Sequence, residues 1–247
     1  ILILALSVIG GLEARRFFLK KGIQLNFIKT IMVSAVLPIY MILVVMNILP
    51  SNYTIGILTL SICLLFLREA LMRDAKLIET VLERLPAYCF LLVFPGLFMS
   101  YLIRINLLEN SSLLIIIFLT FVFSNDTFAY LTGMLFGKNS RGIFAVSPKK
   151  SFAGLLGGLI AAGLAGFIFY IFYPFIFKNN LIFAVFIGVA IGITAVIGDL
   201  TESALKRSAD EKDSGTIMAG RGGVLDSIDS ILFSAPVFYY IMVLYQQ

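Results

Sequence analysis

An all-α, polytopic membrane protein with about eight transmembrane helices is the fold that this sequence predicts. The 247 residues are 60% hydrophobic and 13% charged, a composition unlike that of a soluble globular chain. Apolar runs recur at lengths of about 20 residues, which is what the ~30 Å hydrocarbon core of a bilayer requires of a helix. Lysines and arginines fall in alternate connections between these runs, as they do in membrane proteins of fixed orientation.

Eight apolar runs mark the predicted spans in chain order. They cover residues 1–12, 30–50, 53–67, 86–103, 111–136, 152–177, 181–198 and 228–245. The third run is short for a span, whereas the fifth and sixth are long enough to tilt or kink. The chain begins inside the first run, so we expect further residues before Ile1 rather than a signal peptide.

The basic residues indicate the orientation of the spans. All but two of the 19 lysines and arginines follow the first, third, fifth or seventh span, the exceptions being Arg104 and Lys178. The positive-inside rule makes the rich side cytoplasmic, and we expect the inner membrane of a bacterium. The polar segment 199–229 then lies at the cytoplasmic face. Topology and anionic headgroups account for the net charge of +5, so nucleic acid is not an expected partner.

Two regions are predicted along the chain. Residues 1–110 form an N-terminal transmembrane scaffold, and residues 111–247 form the catalytic region. From residue 124 onward the spans carry glycines and polar residues at their cytoplasmic ends, which permits close helix packing around a site. Residues 68–85 are predicted to form one amphipathic helix on the membrane surface, since apolar residues recur there at helical spacing between charges.

Two absences narrow the chemistry. The chain contains no histidine, which excludes a histidine general base, a histidine-ligated zinc site and haem. Cys63 and Cys89 have neither paired nor metal-ligand spacing, so we expect packing roles and no disulfide.

Four acids flank the connection between the last two spans. Asp199 and Glu202 are three residues apart, as are Asp226 and Asp229, and residues at this spacing share one face of a helix. The connection returns the chain, so the two helix ends could converge. Carboxylates from two helices suit a hard divalent cation such as Mg²⁺, which also takes waters and substrate phosphates as ligands. The alternative is a simple network of ion pairs with neighbouring cations.

Cations and glycines occupy the same connection. The cations are Lys206, Arg207, Lys212 and Arg221. Gly222 and Gly223 would let backbone N–H groups approach a phosphate, and the start of the next helix would add its positive dipole end. The alternative is that these cations only satisfy the positive-inside rule.

Two upstream elements are further candidates. Asp126 lies inside the fifth span, where an ionisable residue is by default a functional candidate; the alternative is a structural hydrogen bond between helices. Ser147, Lys149 and Lys150 precede the sixth span and suit an anionic headgroup or a triphosphate. Ordinary flanking charge explains them equally well.

Together these residues resemble the phosphatidate cytidylyltransferases (CDP-diacylglycerol synthases). That family's signature has the form Ser-x-aliphatic-Lys-Arg-x4-Lys-Asp-x-Gly, followed by Gly-Gly-x-x-Asp-Arg-x-Asp. It stands here as Ser203-Ala-Leu-Lys206-Arg207, four residues, Lys212-Asp213-Ser-Gly215, and then Gly222-Gly223-Val-Leu-Asp226-Ser-Ile-Asp229. The specific resemblance covers roughly residues 120–235, where Asp126 and the Ser147-Pro148-Lys149-Lys150 element are also similar to the family.

The resemblance implies a nucleotidyltransferase that makes CDP-diacylglycerol and pyrophosphate from CTP and phosphatidic acid. It implies Mg²⁺, contact with membrane lipid and a homodimer. The implied catalytic residues are Lys206, Arg207, Lys212, Asp213 and Arg221. The implied substrate-binding residues are Asp126, Ser147, Lys149, Lys150, Ser203, Gly222 and Gly223. The expected metal ligands are Asp199, Asp226, Glu202 and Asp229.

Three positions depart from the family pattern. Arg221 stands where histidine is most frequent, Ser227 replaces the arginine between the closing acids, and Ala153 replaces a glutamate. Since the acids and the Lys206-Arg207 pair remain, we interpret the chain as a divergent but working enzyme.

Other functions stay open from the sequence. A polyprenol or phytol kinase would also use CTP, but it would need a base for a neutral alcohol. The Asp-Gly-x2-Ala-Arg motif of CDP-alcohol phosphotransferases is absent. A cation-coupled transporter could use Asp126 and Asp199 as ion sites, but its polar residues would lie at the midplane and its halves would show an inverted repeat.

Overall fold

The computed structural model describes residues 1–218 and 222–246. Within these ranges the secondary structure is helical, with two isolated β-bridges, Arg141–Ser151 and Met218–Gly222. The α-helices are α1 (Leu2–Lys20), α2 (Phe27–Val45), α3 (Thr54–Ala70), α4 (Ala75–Glu79), α5 (Val81–Leu91), α6 (Phe98–Arg104), α7 (Ser111–Phe136), α8 (Phe152–Phe172), α9 (Leu181–Ser208) and α10 (Leu225–Gln246). A π-helical segment, Leu92–Leu97, joins α5 to α6.

Seven helical segments of the described chain are long and apolar enough to cross a membrane. They are Phe27–Val45, Ser51–Ala70, Val81–Leu107, Ser111–Phe136, Phe152–Phe172, Leu181–Ser208 and Leu225–Gln246. The first predicted span forms the beginning of α1, which has 19 residues and would be the eighth. The protein is therefore an all-α polytopic membrane protein, as the sequence predicts.

Helix α9 continues ten residues beyond the predicted end of the seventh span. Its last turns carry Asp199, Glu202 and Lys206 on a regular helix. Lys206 and Arg207 lie in the final turn, where cations favour the negative end of the helix dipole. The acids that the sequence places at the edge of the span are thus held on a rigid element.

The amphipathic helix predicted over residues 68–85 is wrong as a single helix. Helix α3 ends at Ala70, α4 is only five residues long, and α5 begins at Val81. Glu69, on α3, is buried and forms ion pairs with Arg68 at 2.7 Å and with buried Arg84 on α5.

The guanidinium of Arg84 organises this break. It donates hydrogen bonds of 2.7 Å to the Leu77 carbonyl oxygen and to Thr80 Oγ1. A buried charge without a partner costs several kcal/mol, of the order of 3–5 when a pair is broken. Because a straight helix would hold Glu69 and Arg84 about four turns apart, the chain folds back to bring them together.

The packing of the chain divides it into two compact units. The first comprises Ile1–Arg104 with Ser208–Ser227, and the second comprises Ile105–Arg207 with the chain from Ile228 onward. The predicted functional division at residue 110 stays a prediction.

In the first unit, α1 packs closely against α2. A Cβ atom at Gly11 would overlap the Ser34 hydroxyl, so a glycine is required at this crossing. The hydroxyl of Ser7 lies 2.8 Å from the carbonyl oxygens of both Ser34 and Pro95. Pro95 lacks an N–H donor, which is consistent with the π-helical irregularity around it.

In the second unit, glycines bring four helices together. A Cβ at Gly188 on α9 would overlap the Ala162 carbonyl oxygen on α8. A Cβ at Gly158 on α8 would lie 2.7 Å from the Asn125 carbonyl oxygen on α7, and one at Gly198 on α9 would overlap the Asp229 backbone on α10. This confirms the close packing predicted from small residues, and it places the helices that carry the predicted acids side by side.

Candidate active site

Three aspartates from three helices of the second unit form an acidic cluster. They are Asp126 on α7, Asp199 on α9 and Asp229 on α10. Asp229 lies within electrostatic range of both other carboxylates, and Asp126 interacts with Asp199 in the same way. Asp229 is buried, Asp199 is half-buried and Asp126 is exposed. Residues separated by up to about a hundred positions in sequence therefore meet where the sequence predicts a site.

Lys150 joins the cluster from the segment before α8. Its Nζ lies 2.6 Å from Asp199 Oδ2, and it also attracts Asp126. The lysine is held in place because its carbonyl oxygen accepts from the Gly142 N–H at 3.1 Å, and Ser151 caps the start of α8 by accepting from the Gly154 N–H at 3.1 Å. A predicted substrate-binding residue and a predicted metal ligand are thus in direct contact.

Glu202 and Lys206 form a pair along α9. Glu202 is 0% exposed and contacts the Lys206 ammonium four residues later. Lys206 also attracts Asp229. For Glu202 the ion-pair alternative is therefore the one that the geometry favours, because its carboxylate faces a lysine within the packed helices. Its metal-ligand role stays a prediction.

Neighbouring polar groups orient the cluster. Asn125, which is 1% exposed, donates from Nδ2 to Asp126 Oδ1 at 3.1 Å. Ser230 on α10 also hydrogen-bonds the Asp126 side chain. Ser203 donates its hydroxyl to Asp199 Oδ1 at 3.4 Å. Asp126 thus makes the structural contact between helices that was the alternative to a functional role, while remaining part of the acidic cluster.

In the first unit, Asp226 fastens the connection before α10. Its Oδ2 accepts hydrogen bonds from the Ser214 N–H at 2.8 Å, the Ser214 hydroxyl at 2.9 Å and the Gly223 N–H at 2.7 Å. That Asp199 and Asp226 share one ion stays a prediction.

Glu13 is a central residue of the connection that the sequence analysis missed. It is 1% exposed. Its Oε1 accepts from the Val224 N–H at 3.0 Å, and its Oε2 accepts from the Leu225 N–H at 2.7 Å and the Ser214 hydroxyl at 3.0 Å. The signal was an acid directly after the first apolar run, where an ionisable side chain is costly without partners.

The backbone N–H groups of Gly222 and Gly223 have partners within the loop, and the substrate-binding role of these glycines stays a prediction. The Gly222 N–H donates to the Met218 carbonyl oxygen at 3.2 Å, and the Gly223 N–H donates to Asp226. Glu13 accepts from the N–H groups at the start of α10, the helix end that was expected to add its positive dipole to a phosphate site. The glycines also serve the loop: Gly222 has a φ of +92°, and a Cβ at Gly223 would overlap Ser214 and Glu13.

Most of the remaining predicted residues are exposed. Lys212 and Asp213 are exposed in the connection of the first unit, and Lys149 and Arg207 are exposed in the second unit. Ser147 closes a turn, accepting from the Lys150 N–H at 3.1 Å. Arg221 lies outside the described residues.

The charged side chains around the acidic cluster show whether this region suits a divalent metal ion. Over residues 1–218 and 222–246, no three acidic or sulfur side chains are grouped closely enough to hold an ion by themselves. Around the acidic cluster, however, four acids (the cluster and Glu202) face two lysines, Lys150 and Lys206. Counted as formal charges, this leaves an excess of two negative charges. The oxygen donors and the excess fit Mg²⁺, which commonly takes one or two protein carboxylates and completes its shell with waters and phosphates.

Several known proteins are similar in sequence to this chain. The phosphatidate cytidylyltransferase of Aquifex aeolicus is 38% identical over 154 residues, 62% of this chain and 55% of that protein. The enzyme of the same name from Thermotoga maritima is 35% identical over 165 residues, 65% of this chain and 60% of that protein. The uncharacterized protein YnbB of Escherichia coli K12 is 39% identical over 133 residues, 54% of this chain and 43% of that protein.

The chain spans about half the length of the curated relatives it matches. The sequence profile of the Cytidylyltransferase family, in contrast, matches residues 1–245, which is nearly the whole chain. With its signature residues placed on the helix ends and on the connection just described, the chain belongs to the cytidylyltransferase family.

Proposed function

We propose that this protein is a phosphatidate cytidylyltransferase, a nucleotidyltransferase that makes CDP-diacylglycerol and pyrophosphate from CTP and phosphatidic acid. The observation that carries the proposal is the Lys150–Asp199 pair inside the acidic cluster. It joins cations and carboxylates at one end of the helices, which is the combination that a reaction between two phosphate compounds requires. Relatives named for this activity support the same conclusion.

The reaction needs little acid–base chemistry. A phosphate oxygen of phosphatidic acid would attack the α-phosphorus of CTP and form a new P–O bond. The bond from that phosphorus to the bridging oxygen breaks, and its electron pair leaves with pyrophosphate. A phosphate monoester has its second pKa near 6, so it is largely dianionic at pH 7. A chain without histidine can therefore supply this chemistry.

The side chains of the second unit would act by position and charge. Lys150 and Lys206 are pre-positioned by their acidic partners, Asp199 and Glu202, so they lose little freedom on binding an anion. Arg207 is exposed at the end of α9, next to Lys206 in sequence, and is the cation that we propose for contact with a pyrophosphate group. Preorganised cations of this kind stabilise charge that develops on the leaving group.

Mg²⁺ is the proposed cofactor. Asp199 and Asp229, with Asp126 beside them, would hold the ion, and Asp226 is the predicted ligand from the first unit. Bound there, the ion would offset the repulsion between the triphosphate and the attacking phosphate. The acids themselves fix the position of the cations and keep the site polar at the membrane boundary.

The distribution of basic residues supports a site that faces the cytoplasm at the inner membrane of a bacterium. The acyl chains of the substrate would stay in the bilayer while the headgroup reaches the acidic cluster. A homodimer is proposed from the family resemblance alone.

The activity can be tested with the purified full chain in mixed micelles. With labelled CTP and phosphatidic acid, CDP-diacylglycerol and pyrophosphate should form in equal amounts. EDTA should stop the reaction and Mg²⁺ should restore it. Asp199→Asn should lower kcat by about a hundredfold or more, by analogy with the loss of one electrostatic contact in other active sites. Asp210→Asn is the matched control, since Asp210 is 90% exposed and pairs loosely with Lys21.

Three results would contradict the proposal. Phosphorylation of a polyprenol or phytol by CTP, with no product from phosphatidic acid, would indicate a lipid kinase. Ion-driven uptake without nucleotide consumption would indicate a transporter. Equal activity of the Asp199 and Asp210 variants would refute the role given to the acidic cluster.

A further inference from the structure

A cavity of about 510 Å³ opens beside the C-terminal end of α1, within the first unit. Arg16, Phe17, Leu19 and Lys20 line it from the helix, and residues 211–216 line it from the connection before α10. Its volume falls within the ~300–1,000 Å³ range of small-ligand pockets. Its lining residues belong to the first unit, whereas those of the acidic cluster belong to the second.

Most cations near the cavity already have protein partners. Lys20 Nζ lies 2.9 Å from Glu211 Oε1. The hydrogen bond from Glu211, and then its charge, raise the pKa of Lys20, so this lysine stays paired as a cation. Lys21 lies 3.5 Å from Asp210, and Arg15 donates from Nε to the Leu25 carbonyl oxygen at 2.7 Å.

Arg16 and Lys212 differ from these cations because they have no acidic partner within the described chain. Both side chains line the cavity and are exposed, and in the described chain neither forms an ion pair with another residue. The lining also contains Asp213 and the Lys20–Glu211 pair, whose two charges cancel. Because Arg16 and Lys212 are both positive and only Asp213 opposes them, the lining carries a net positive charge. A guanidinium presents two parallel donors to a phosphate, and an ammonium adds a point charge.

Hydrogen bonds of Ser214 hold in place the connection that carries Lys212. Ser214, two residues later, is 3% exposed and bonds to both Glu13 and Asp226. Glu13 belongs to α1, the same helix as Arg16, and lies three residues before it. The two unpaired cations are thus attached to one hydrogen-bonded cluster, and such preorganisation reduces the entropic cost of binding an anion.

We propose that this cavity binds a phosphate group of a substrate, with Arg16 and Lys212 as its binding residues. The inference rests on the proposed function for its ligands. The phosphate belongs either to the pyrophosphate end of CTP or to the headgroup of phosphatidic acid. Arg16 is not part of the signature that the family resemblance rests on, so it adds a binding residue from the first helix.

The test compares Arg16→Gln and Lys212→Gln with Lys21→Gln in the full chain. Lys21 is a matched control because it has the same charge and lies at the same helix end, but it does not line the cavity. Binding of pyrophosphate and of CTP is measured by calorimetry without turnover. The KM for phosphatidic acid is measured in mixed micelles at fixed surface concentration. Thermal unfolding shows which variants are folded.

Each cavity variant should weaken one ligand by about tenfold or more, the usual effect of losing a charged hydrogen bond. The Lys21 variant should change affinity by less than about threefold, as exposed ion pairs do. Weaker binding of pyrophosphate and CTP would assign the cavity to the nucleotide. A raised KM for phosphatidic acid alone would assign it to the lipid headgroup.

The proposal is overturned if both cavity variants match the Lys21 variant in all three measurements, or if the wild-type chain binds none of the probes. If Arg16→Gln fails to fold, Lys212→Gln carries the test. A wild-type chain that binds pyrophosphate through Arg16 but makes no CDP-diacylglycerol would contradict the proposed function and leave this inference standing.

Discussion

A single carboxylate, that of Glu13, organises the connection before α10. It receives two backbone N–H groups at the start of the helix and one hydroxyl. These N–H groups would otherwise lack partners, and the positive end of the helix dipole favours an anion there. The site that a substrate phosphate could have used is therefore filled by the protein itself.

Glu13→Gln should loosen this connection. An amide keeps one acceptor oxygen but turns an NH₂ group towards the other donors, so we expect a loss of about 1.5–3 kcal/mol of local stability, the worth of hydrogen bonds to a charged group. Thermal unfolding of the purified chain and kcat should both fall. Glu109→Gln is the control, because Glu109 is exposed. Equal behaviour of the two variants would show that Glu13 does not act as a cap.

Lys149 and Lys150 are adjacent in sequence but differ in the structure. Lys150 contacts Asp199, whereas Lys149 is exposed and has no ion pair within the described chain. We expect Lys150→Ala to lower kcat by about a hundredfold, as the loss of a positioned electrostatic contact does, and Lys149→Ala to lower it by less than about threefold. Steady-state kinetics of both variants would test this, and the reverse order would refute the role given to Lys150.

The acids of the site could be predicted from the sequence, but the residues that hold the neighbouring connection in place could not. Asp126, Asp199 and Asp229 are visible because a charge beside an apolar helix is conspicuous. The contact between Glu13 and Ser214 is not visible, because the two residues lie 201 positions apart and no local pattern encodes it, although Glu13 itself follows an apolar run. The same limit explains Gly222 and Gly223, whose N–H groups find acceptors that only the folded loop provides.

At the level of elements, glycines set the distance between α8 and α9. The Ala162 carbonyl oxygen lies where a side chain at position 188 would begin. Backbone atoms cannot move aside as a flexible side chain can, so any substituent at Gly188 must separate the two helices. The acidic cluster depends on that distance, since Asp199 lies on α9 three turns beyond Gly188.

Gly188→Ala should therefore lower both thermal stability and activity, although alanine is the better helix former. Gly56→Ala is the matched control, because Gly56 also lies within a helix, α3, and has no atom within 4 Å of the added Cβ. There we expect a gain of about 0.5–1 kcal/mol from helix propensity. Thermal unfolding in detergent distinguishes the two, and a stabilised Gly188 variant would contradict the packing described.

The break between α3 and α5 could not be predicted from the sequence, for a physical reason. The spacing of apolar residues over 68–85 is that of an amphipathic helix, and local propensity gives no cause to end it. The cause is the Glu69–Arg84 pair, which is satisfied only when the chain folds back. Tertiary electrostatics overrides local periodicity here.

For the whole molecule, hydropathy was sufficient to predict the class and the order of spans. In lipid, the backbone N–H and C=O groups must find hydrogen-bond partners within their own segment. An apolar run long enough to cross the bilayer is therefore expected to form a helix. The ends of the helices were less predictable: α1 and α9 continue beyond their apolar runs because charged residues there make hydrogen bonds and ion pairs.

The orientation can be tested on either side of one helix. In a chain with Cys63→Ser and Cys89→Ser, single cysteines are placed at Glu109, before α7, and at Lys138, after it. A membrane-impermeant maleimide added to intact spheroplasts should label position 109 and spare position 138 until the membrane is opened. Labelling of position 138 first would reverse the topology and place the acidic cluster outside the cytoplasm.

The hydrogen bonds that Glu13 accepts from the connection before α10 also have a consequence for biosynthesis. Its acceptor oxygens leave the ribosome more than 200 residues ahead of the donors they serve, as the separations of 201 to 212 residues show. Lys212 and Asp213 consequently gain their final positions only after the chain has been synthesised as far as Leu225. A nascent chain that ends between Arg207 and Leu225 is thus expected to lack the final arrangement of this connection, whichever helices it has already inserted.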